Sequence, residues 1–272
     1  MSAQARSLET ASQVDGFGSR LVWAVSDTLV LTRRNLVKYV RIPESLFFSS
    51  VQPVMFVLLF RYVFGGAIRT PGVSYVNYLI PGIFVQTMAF GAVNTAIGLA
   101  EDLQKGIIER FRALPMARSS VLAARTLADL LRNVGVAVLI AAVGFAVGFR
   151  IGTSVAAFLA GIGMILVFAY ALSWGFAVIG LFAPNSETAQ VMSFPVLFPL
   201  TFASSAFVPV ASMPSWLQGF ASHQPVSVAV DAARALMVGG PTTSAVWQSV
   251  AWSVGIVVVL APVAVRRYRT ST

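Results

Sequence analysis

Residues 153–182 read TSVAAFLAGIGMILVFAYALSWGFAVIGLF, thirty positions without a single Asp, Glu, Lys or Arg. Roughly 20 apolar residues are enough for a helix to cross a hydrocarbon core about 30 Å thick. The run therefore predicts a membrane-spanning helix. Working outward, five further apolar runs have similar character, at about 46–66, 75–99, 121–149, 188–209 and 246–265. The expected fold class is all-α, a polytopic membrane protein with six transmembrane helices.

Composition points the same way. The chain has 272 residues, of which 57% are hydrophobic and 11% charged, with a mean hydropathy of +0.80. Soluble domains run at about 45–50% apolar and about 25% charged. The formal charge of +9 comes from 19 basic against 10 acidic residues. Because the basic residues flank apolar runs, they read as anchors to an anionic membrane face, and no nucleic-acid partner is expected. Cysteine is absent and His223 is the single histidine. Disulfides, thiolate metal sites and multi-histidine metal sites are thereby excluded, and no metal or cofactor is expected.

Lys and Arg in the connections predict the orientation. Arg6, Arg20, Arg33, Arg34, Lys38 and Arg41 precede the first run. Lys105, Arg110, Arg112, Arg118 and Arg125 lie between the second and third, and Arg266, Arg267 and Arg269 follow the last. With six spans these fourteen share one side, against Arg69, Arg150 and Arg234 on the other. Both termini and the 101–119 loop are expected in the cytoplasm, with the chain in the plasma (inner) membrane.

The expected division is a cytoplasmic tail at 1–18, an amphipathic interfacial helix at 19–44, a six-span membrane domain at 45–269 and a cytoplasmic end at 270–272. The tail lacks the apolar core of a cleaved signal peptide. In the second segment Leu21, Val25, Leu29, Leu36 and Val40 supply apolar surface, and Arg33, Arg34, Lys38 and Arg41 supply charge. Such a helix can lie in the interface with its basic side toward lipid phosphates. Pro43 is expected to break it. The longest outward connection, about 210–245, reads as a re-entrant or interfacial hairpin of two short helices broken at Pro225. Trp216 and Phe220 sit four apart on the first, and Asp231 and Arg234 three apart on the second.

The loop EDLQKGIIERFRALPMARS, residues 101–119, carries seven charges. A window of that size should hold about two at this composition. Placed on a helix over 101–114, Leu103, Ile107, Phe111 and Leu114 share one face. Asp102, Lys105, Glu109 and Arg112 share the opposite one. Arg110 lies near the apolar edge, and Pro115 ends the element. A simple lipid anchor favours a basic polar face. This face mixes both signs, which suits recognition of a protein.

The ordered set VFGGAI (63–68), YLIPGIF (78–84), the 101–119 loop, ARTLADLLRN (124–133), SSAFVPVASMPSWLQGFASHQPVS (204–227) and DAARAL (231–236) resembles the type-two ABC exporter permeases of the daunorubicin-resistance group. Ala124 stands where relatives often carry Gly. The resemblance runs from about Asp27 to Arg269. It implies a non-enzymatic transport subunit that moves a hydrophobic or amphipathic drug, antibiotic or lipid outward. It further implies two cytoplasmic ATPase subunits and a second permease copy or homologue as partners, besides membrane lipid. In that family the loop after the second span is the coupling helix that seats in the ATPase. The role falls here on Asp102, Gly106, Glu109, Arg110, Leu114 and Pro115, with Lys105 and Arg112 on the same mixed face. The chain's own lysines fit a borrowed motor. Only Lys38 and Lys105 occur, and neither follows the glycine that a phosphate loop requires.

Other residues carry two readings each. Thr87, Gly91, Asn94 and Gly98 form a stripe on the second span that either packs helices closely or lines a substrate path. Pro195 and Pro199 should kink the fifth span, as a gate would need or as spans commonly tolerate. Arg125, Asp129 and Arg132 read as an ion-pair ladder or as a relay into the third span. Glu187 complements the dipole of the fifth span. His223 reads as a satisfied interfacial residue. An ion-coupled carrier would place ionisable residues at mid-membrane. A lipid-modifying enzyme would cluster His, Asp, Glu or Cys at one level. Neither pattern is found in the sequence.

Overall fold

The computed structural model describes residues 17–41, 43–68, 70, 72–106 and 118–270, and nine α-helices occur among them. In chain order these are α1 (Phe17–Arg41), α2 (Pro43–Leu58), α3 (Tyr75–Gln104), α4 (Arg118–Ala146), α5 (Val155–Phe182), α6 (Ser186–Phe202), α7 (Ser215–His223), α8 (Pro225–Met237) and α9 (Thr242–Thr270). A π-helical turn, Leu59–Phe64, continues α2. Four helices contain segments long and apolar enough to cross a membrane: Tyr75–Gln104, Ala123–Ala146, Val155–Phe182 and Thr242–Tyr268. The apolar stretch Val51–Phe64 is shorter, and α6 has 17 residues.

Helix starts follow local chemistry. Ser74 accepts from the Asn77 N–H at 3.4 Å, Ser154 from Ala157 at 3.1 Å and Asn185 from Thr188 at 2.8 Å. Each satisfies a first-turn donor that the helix itself cannot. Glu187 stands in the first turn of α6, where its charge complements the helix dipole. Pro43 begins α2, and Pro225 occupies the first turn of α8, positions where a missing N–H costs no helical bond.

The centre of the bundle is α3, which packs against α4, α5, α6 and α8. Leu79, Ile83, Phe84, Met88, Ala89 and Ala96 of α3 and Phe168 of α5 are wholly buried in one core. Small residues let the backbones approach closely. A Cβ at Gly180 of α5 would lie 2.4 Å from the Ala96 carbonyl oxygen of α3. One at Gly82 would lie 2.0 Å from that of Ala206. Side chains bearing Val191, Met192, Val196 and Phe198 on α6, and Trp247, Val254, Val258 and Val259 on α9, stay exposed. Such faces suit hydrocarbon rather than water.

Two expectations change. α6 stops at Phe202 rather than continuing to 209, and residues 203–208 form a buried turn. The turn's carbonyls are satisfied without a helix, because the Tyr78 hydroxyl donates to Ser205 O at 2.9 Å and that of Tyr75 to Phe207 O at 3.2 Å. In α1, the face packed on α4 is mixed rather than apolar. Leu31, Thr32 and Asn35 are buried, while Val25 and Leu29 are exposed. Val25 and Leu29 are therefore left free, as are Arg33 and Arg34.

Candidate functional site

At the end of the bundle where the 101–119 loop leaves α3, charged side chains from three helices meet. Asp102, in the last turn of α3, lies 4.0 Å from Arg34 of α1 and 3.9 Å from Arg125 of α4. The Arg125 Nε lies 3.7 Å from Asp129, one turn along α4. Asp129 accepts from the Thr95 hydroxyl of α3 at 2.5 Å, and Arg125 Nη2 donates to Asn94 O at 3.0 Å. Asp129 is fully buried and Arg125 only 8% exposed. The stripe on α3 explains how a guanidinium fits there. A Cβ at Gly98 would sit 1.6 Å from Arg125 Nη2, so Gly98 is the socket for that side chain. This opposite-charge chain, buried at Arg125 and Asp129 and open at Arg34, whose side chain is 43% exposed, ties the three helices together. Removing one member would strand its partner without solvent.

This geometry alters the expected helix at 101–114. α3 runs on through Gln104, so Asp102 belongs to the span rather than to a separate loop helix. Gly106, at φ +64°, ends it in the left-handed conformation that glycine adopts without a steric penalty. Asp102 accordingly faces inward to Arg34 and Arg125 rather than outward on a docking face. Lys105 is exposed and pairs with Glu101. That hydrogen bond and charge raise the lysine pKa above its ordinary value. Glu109, Arg110, Arg112, Leu114 and Pro115 lie outside the described residues.

A second feature opens deeper in the bundle. A cavity of about 330 Å³ lies between α2, α3, α4 and α6. Thr87, Gly91 and Asn94 line it, while Gly98 and the two prolines of α6 do not. Sequence reading missed the amides that complete it: Gln52 of α2, Gln86 of α3, Asn133 of α4 and Gln190 of α6. Gln86, set in the apolar run GIFVQTMAF, was the legible one, because polar side chains are costly there, whereas Asn133 beside Arg132 and Gln190 near Glu187 stand among other polar residues. Arg132 also lines the cavity and donates to Gly91 O at 3.0 Å and to Asn133 at 3.3 Å. Gln86 Oε1 and Thr87 Oγ1 are buried and meet no hydrogen-bond partner among the described residues.

The opposite end is latched by α8. Arg234 donates to Asp231 at 2.7 Å, to Ser205 O at 2.8 Å and to Tyr78 O at 3.3 Å. Its guanidinium stands 3.7 Å over the Tyr78 ring. The i,i+3 pair read from the sequence is present, but its work is tertiary. Trp216, 78% exposed, and Phe220 are both solvent- or lipid-facing. Among the described residues His223 bonds within its own turn, to Gly219 O and Ser222. Among the described residues, no group of three His, Cys, Asp or Glu is placed to hold a metal ion.

Comparison with known proteins matches residues 26–238 to the ABC-2 type transporter family. The chain is 34% identical to the daunorubicin resistance ABC transporter permease protein of Streptomyces coeruleorubidus, across 90% of this chain and 87% of the relative. It is 28% identical to a probable doxorubicin resistance ABC transporter permease protein of Mycobacterium tuberculosis, across 91% and 90%. A putative transport permease of Pyropia yezoensis is 26% identical across 78% and 74%. The relatives are named as permeases, transport subunits rather than enzymes, and the multi-pass helices fit that role. A bundle of apolar helices, jointed by buried charge beside a polar loop and matched over most of its length, places this chain in the ABC-2 type transporter family as a membrane permease subunit.

Proposed function

We propose that the chain is the permease of an exporter that moves an amphipathic or hydrophobic compound outward, driven by two cytoplasmic ATPase subunits docked at the 101–119 loop. α2 with its π-helical turn, α3, α4, α5, α6 and α9 are the six spans. The termini and the loop are cytoplasmic, the α7–α8 hairpin lies at the outer face, and the host membrane is the plasma membrane. A second permease copy or a homologue completes the pathway. The relatives' association with daunorubicin and doxorubicin resistance favours a drug-like cargo.

The observation that carries this reading is the joint of Arg34, Asp102, Arg125 and Asp129. It sits where the loop leaves α3 and where α4 resumes, so a push on the loop acts on three helices at once. Two arrangements of such a joint, biased by nucleotide in the partner, would move the bundle between states. Lys105 belongs to the exposed docking face, with Glu109, Arg110, Arg112, Leu114 and Pro115 beyond it. Gly106 is the pivot and Asp102 the inward anchor. The cavity lined by Thr87, Gly91 and Asn94 is the cargo route.

Two experiments bear on it. Glu109→Lys reverses one charge in a loop that already carries Lys105, Arg110 and Arg112. An exposed helix pair is worth only about 0.3–0.5 kcal/mol, so membrane insertion should persist. A desolvated contact with a partner is worth about 2–5 kcal/mol, so the ATPase should no longer copurify and transport should fall with it. Glu9→Lys in the tail serves as control. Normal copurification with normal transport would remove the docking role. For orientation, tags at Gln4 and Thr272 should be shielded from impermeant reagents in intact cells and one at Gly72 reached. The opposite pattern would invert the assignment.

A further inference from the structure

We propose that the exposed side of α2 carries a site for an anionic phospholipid of the surrounding bilayer. The head-group phosphate sits at Arg61 and Tyr62, and an acyl chain lies in the groove between α2 and α4. The site is separate from the proposed cargo route. Only its leaflet, the outer one, rests on the orientation proposed above.

The groove has the form of an acyl-chain seat. It holds about 630 Å³. Val51, Met55, Leu58 and Tyr62 line it at spacings of four, three and four, one face of α2 and its π-helical turn, and Leu139 of α4 forms the opposite wall. From Val51 to Val63 the lining extends about 18 Å, slightly more than half of a hydrocarbon core about 30 Å thick. Among the described lining residues Tyr62 alone brings a hydroxyl, and it stands at the outer end.

An apolar face by itself accepts any lipid, and the cation at its end is what selects. Arg61 lies in the π-helical turn and is half-buried. Its Nε is buried and meets no hydrogen-bond partner. Among the described residues no carboxylate pairs with it, whereas carboxylates meet Arg125 and Arg234. Its guanidinium lies 5.8 Å from the centre of the Tyr62 ring. Successive residues on an α-helix do not face each other, and the wider π turn brings these two nearer.

A charged side chain in an apolar span is costly unless it is paired or reaches the interface. At the membrane surface a lipid phosphate fits a guanidinium, because it can accept two parallel N–H bonds from the planar fork. Tyr62, 69% exposed, adds a hydroxyl where aromatic residues commonly meet head groups. A net-anionic head would neutralise the site. A choline or ethanolamine head would bring its own ammonium against the same guanidinium.

Photocross-linking tests the site. The permease, assembled with its ATPase in phosphatidylcholine nanodiscs, receives trace phosphatidylglycerol or phosphatidylcholine bearing an acyl-chain diazirine, and the labelled peptides are mapped. Phosphatidylglycerol should label the groove, at Met55, Leu58 or Leu139, several-fold more than phosphatidylcholine does. The exposed face of α9 at Trp247 and Val254, in a run without charge from Thr242 to Val265, should show no preference. Arg61→Gln should bring phosphatidylglycerol labelling of the groove down to the phosphatidylcholine level. Its phosphatidylcholine labelling should stay normal, which reports that the groove is still formed. Arg61→Lys keeps the charge without the fork and should retain part of the preference.

Equal labelling of the groove by both lipids in the parent would make it ordinary boundary surface and overturn the site. A preference that survives Arg61→Gln would place the head group elsewhere and overturn it too. Labelling of α9 but not of the groove would mean that a second copy of the chain covers it, and the lipid site falls. The leaflet is read separately, by exchanging the probe into the exposed leaflet of sided membrane vesicles. Right-side-out vesicles should show the preference and inverted ones should not. The reverse would keep the lipid site and overturn the orientation.

Discussion

Asp129→Ala should destabilise the permease by about 3–5 kcal/mol, the usual cost of removing one partner from a buried ion pair. The side chain is fully buried. Its loss would leave the Arg125 guanidinium between α3 and α4 without the carboxylate 3.7 Å away. The Thr95 hydroxyl would lose its acceptor as well. Asp102 lies farther off, at 3.9 Å, and is shared with Arg34. The effect should appear as a lower yield of monodisperse protein after solubilisation and as a lower unfolding temperature. Replacing both partners tests the cause. Arg125→Met with Asp129→Leu removes both charges of that pair, leaves Asp102 to Arg34 at 4.0 Å and should recover part of the loss. Part of the stability would then return without transport, because the joint between loop and spans would be gone. An Asp129→Ala protein as stable as the parent would mean that Arg125 is solvated where it stands, and the joint would lose its buried character.

Hydropathy announced the helices because crossing hydrocarbon imposes length and composition on a local segment. The breaks at Pro43 and Pro225 were legible for the same local reason. Contacts between distant segments were not. Nothing in the stripe Thr87, Gly91, Asn94, Gly98 distinguishes a socket from a pocket wall. The structure divides it: Gly98 receives Arg125, and the other three line the cavity. The two roles have identical local spacing and differ only in which α4 side chain lies opposite. Charge density suggests a new element from Glu101, yet α3 runs on through Asp102 to Gln104. The actual break is a backbone event at Gly106, where a positive φ ends α3. Trp216 was read as part of a helical contact, and the anchor of the hairpin is instead Arg234, whose partners Tyr78 and Ser205 lie far away in sequence.

That anchor gives the second large effect. Arg234→Ala removes a cation–π contact and charge-assisted hydrogen bonds to Asp231, Ser205 O and Tyr78 O. A desolvated cation–π contact is worth up to about 2 kcal/mol, and each hydrogen bond to a charged group about 1.5–3 kcal/mol. The group is largely buried, so the loss should be on the order of 3 kcal/mol even after the neighbours relax. The lost bonds hold α8 and the 203–208 turn against the start of α3, the end of the bundle opposite the docking loop. Transport should therefore collapse while the ATPase still copurifies. Arg234→Lys keeps the charge but has no planar fork with which to reach three acceptors and cover the Tyr78 ring, so it should restore only part of the activity. Trp216→Ala, by contrast, removes a side chain that touches little and should leave both readouts near normal. Copurification lost with Arg234→Ala would mean that α8 supports the motor end. Full activity with Arg234→Lys would mean that charge alone, without the fork, holds the hairpin to α3.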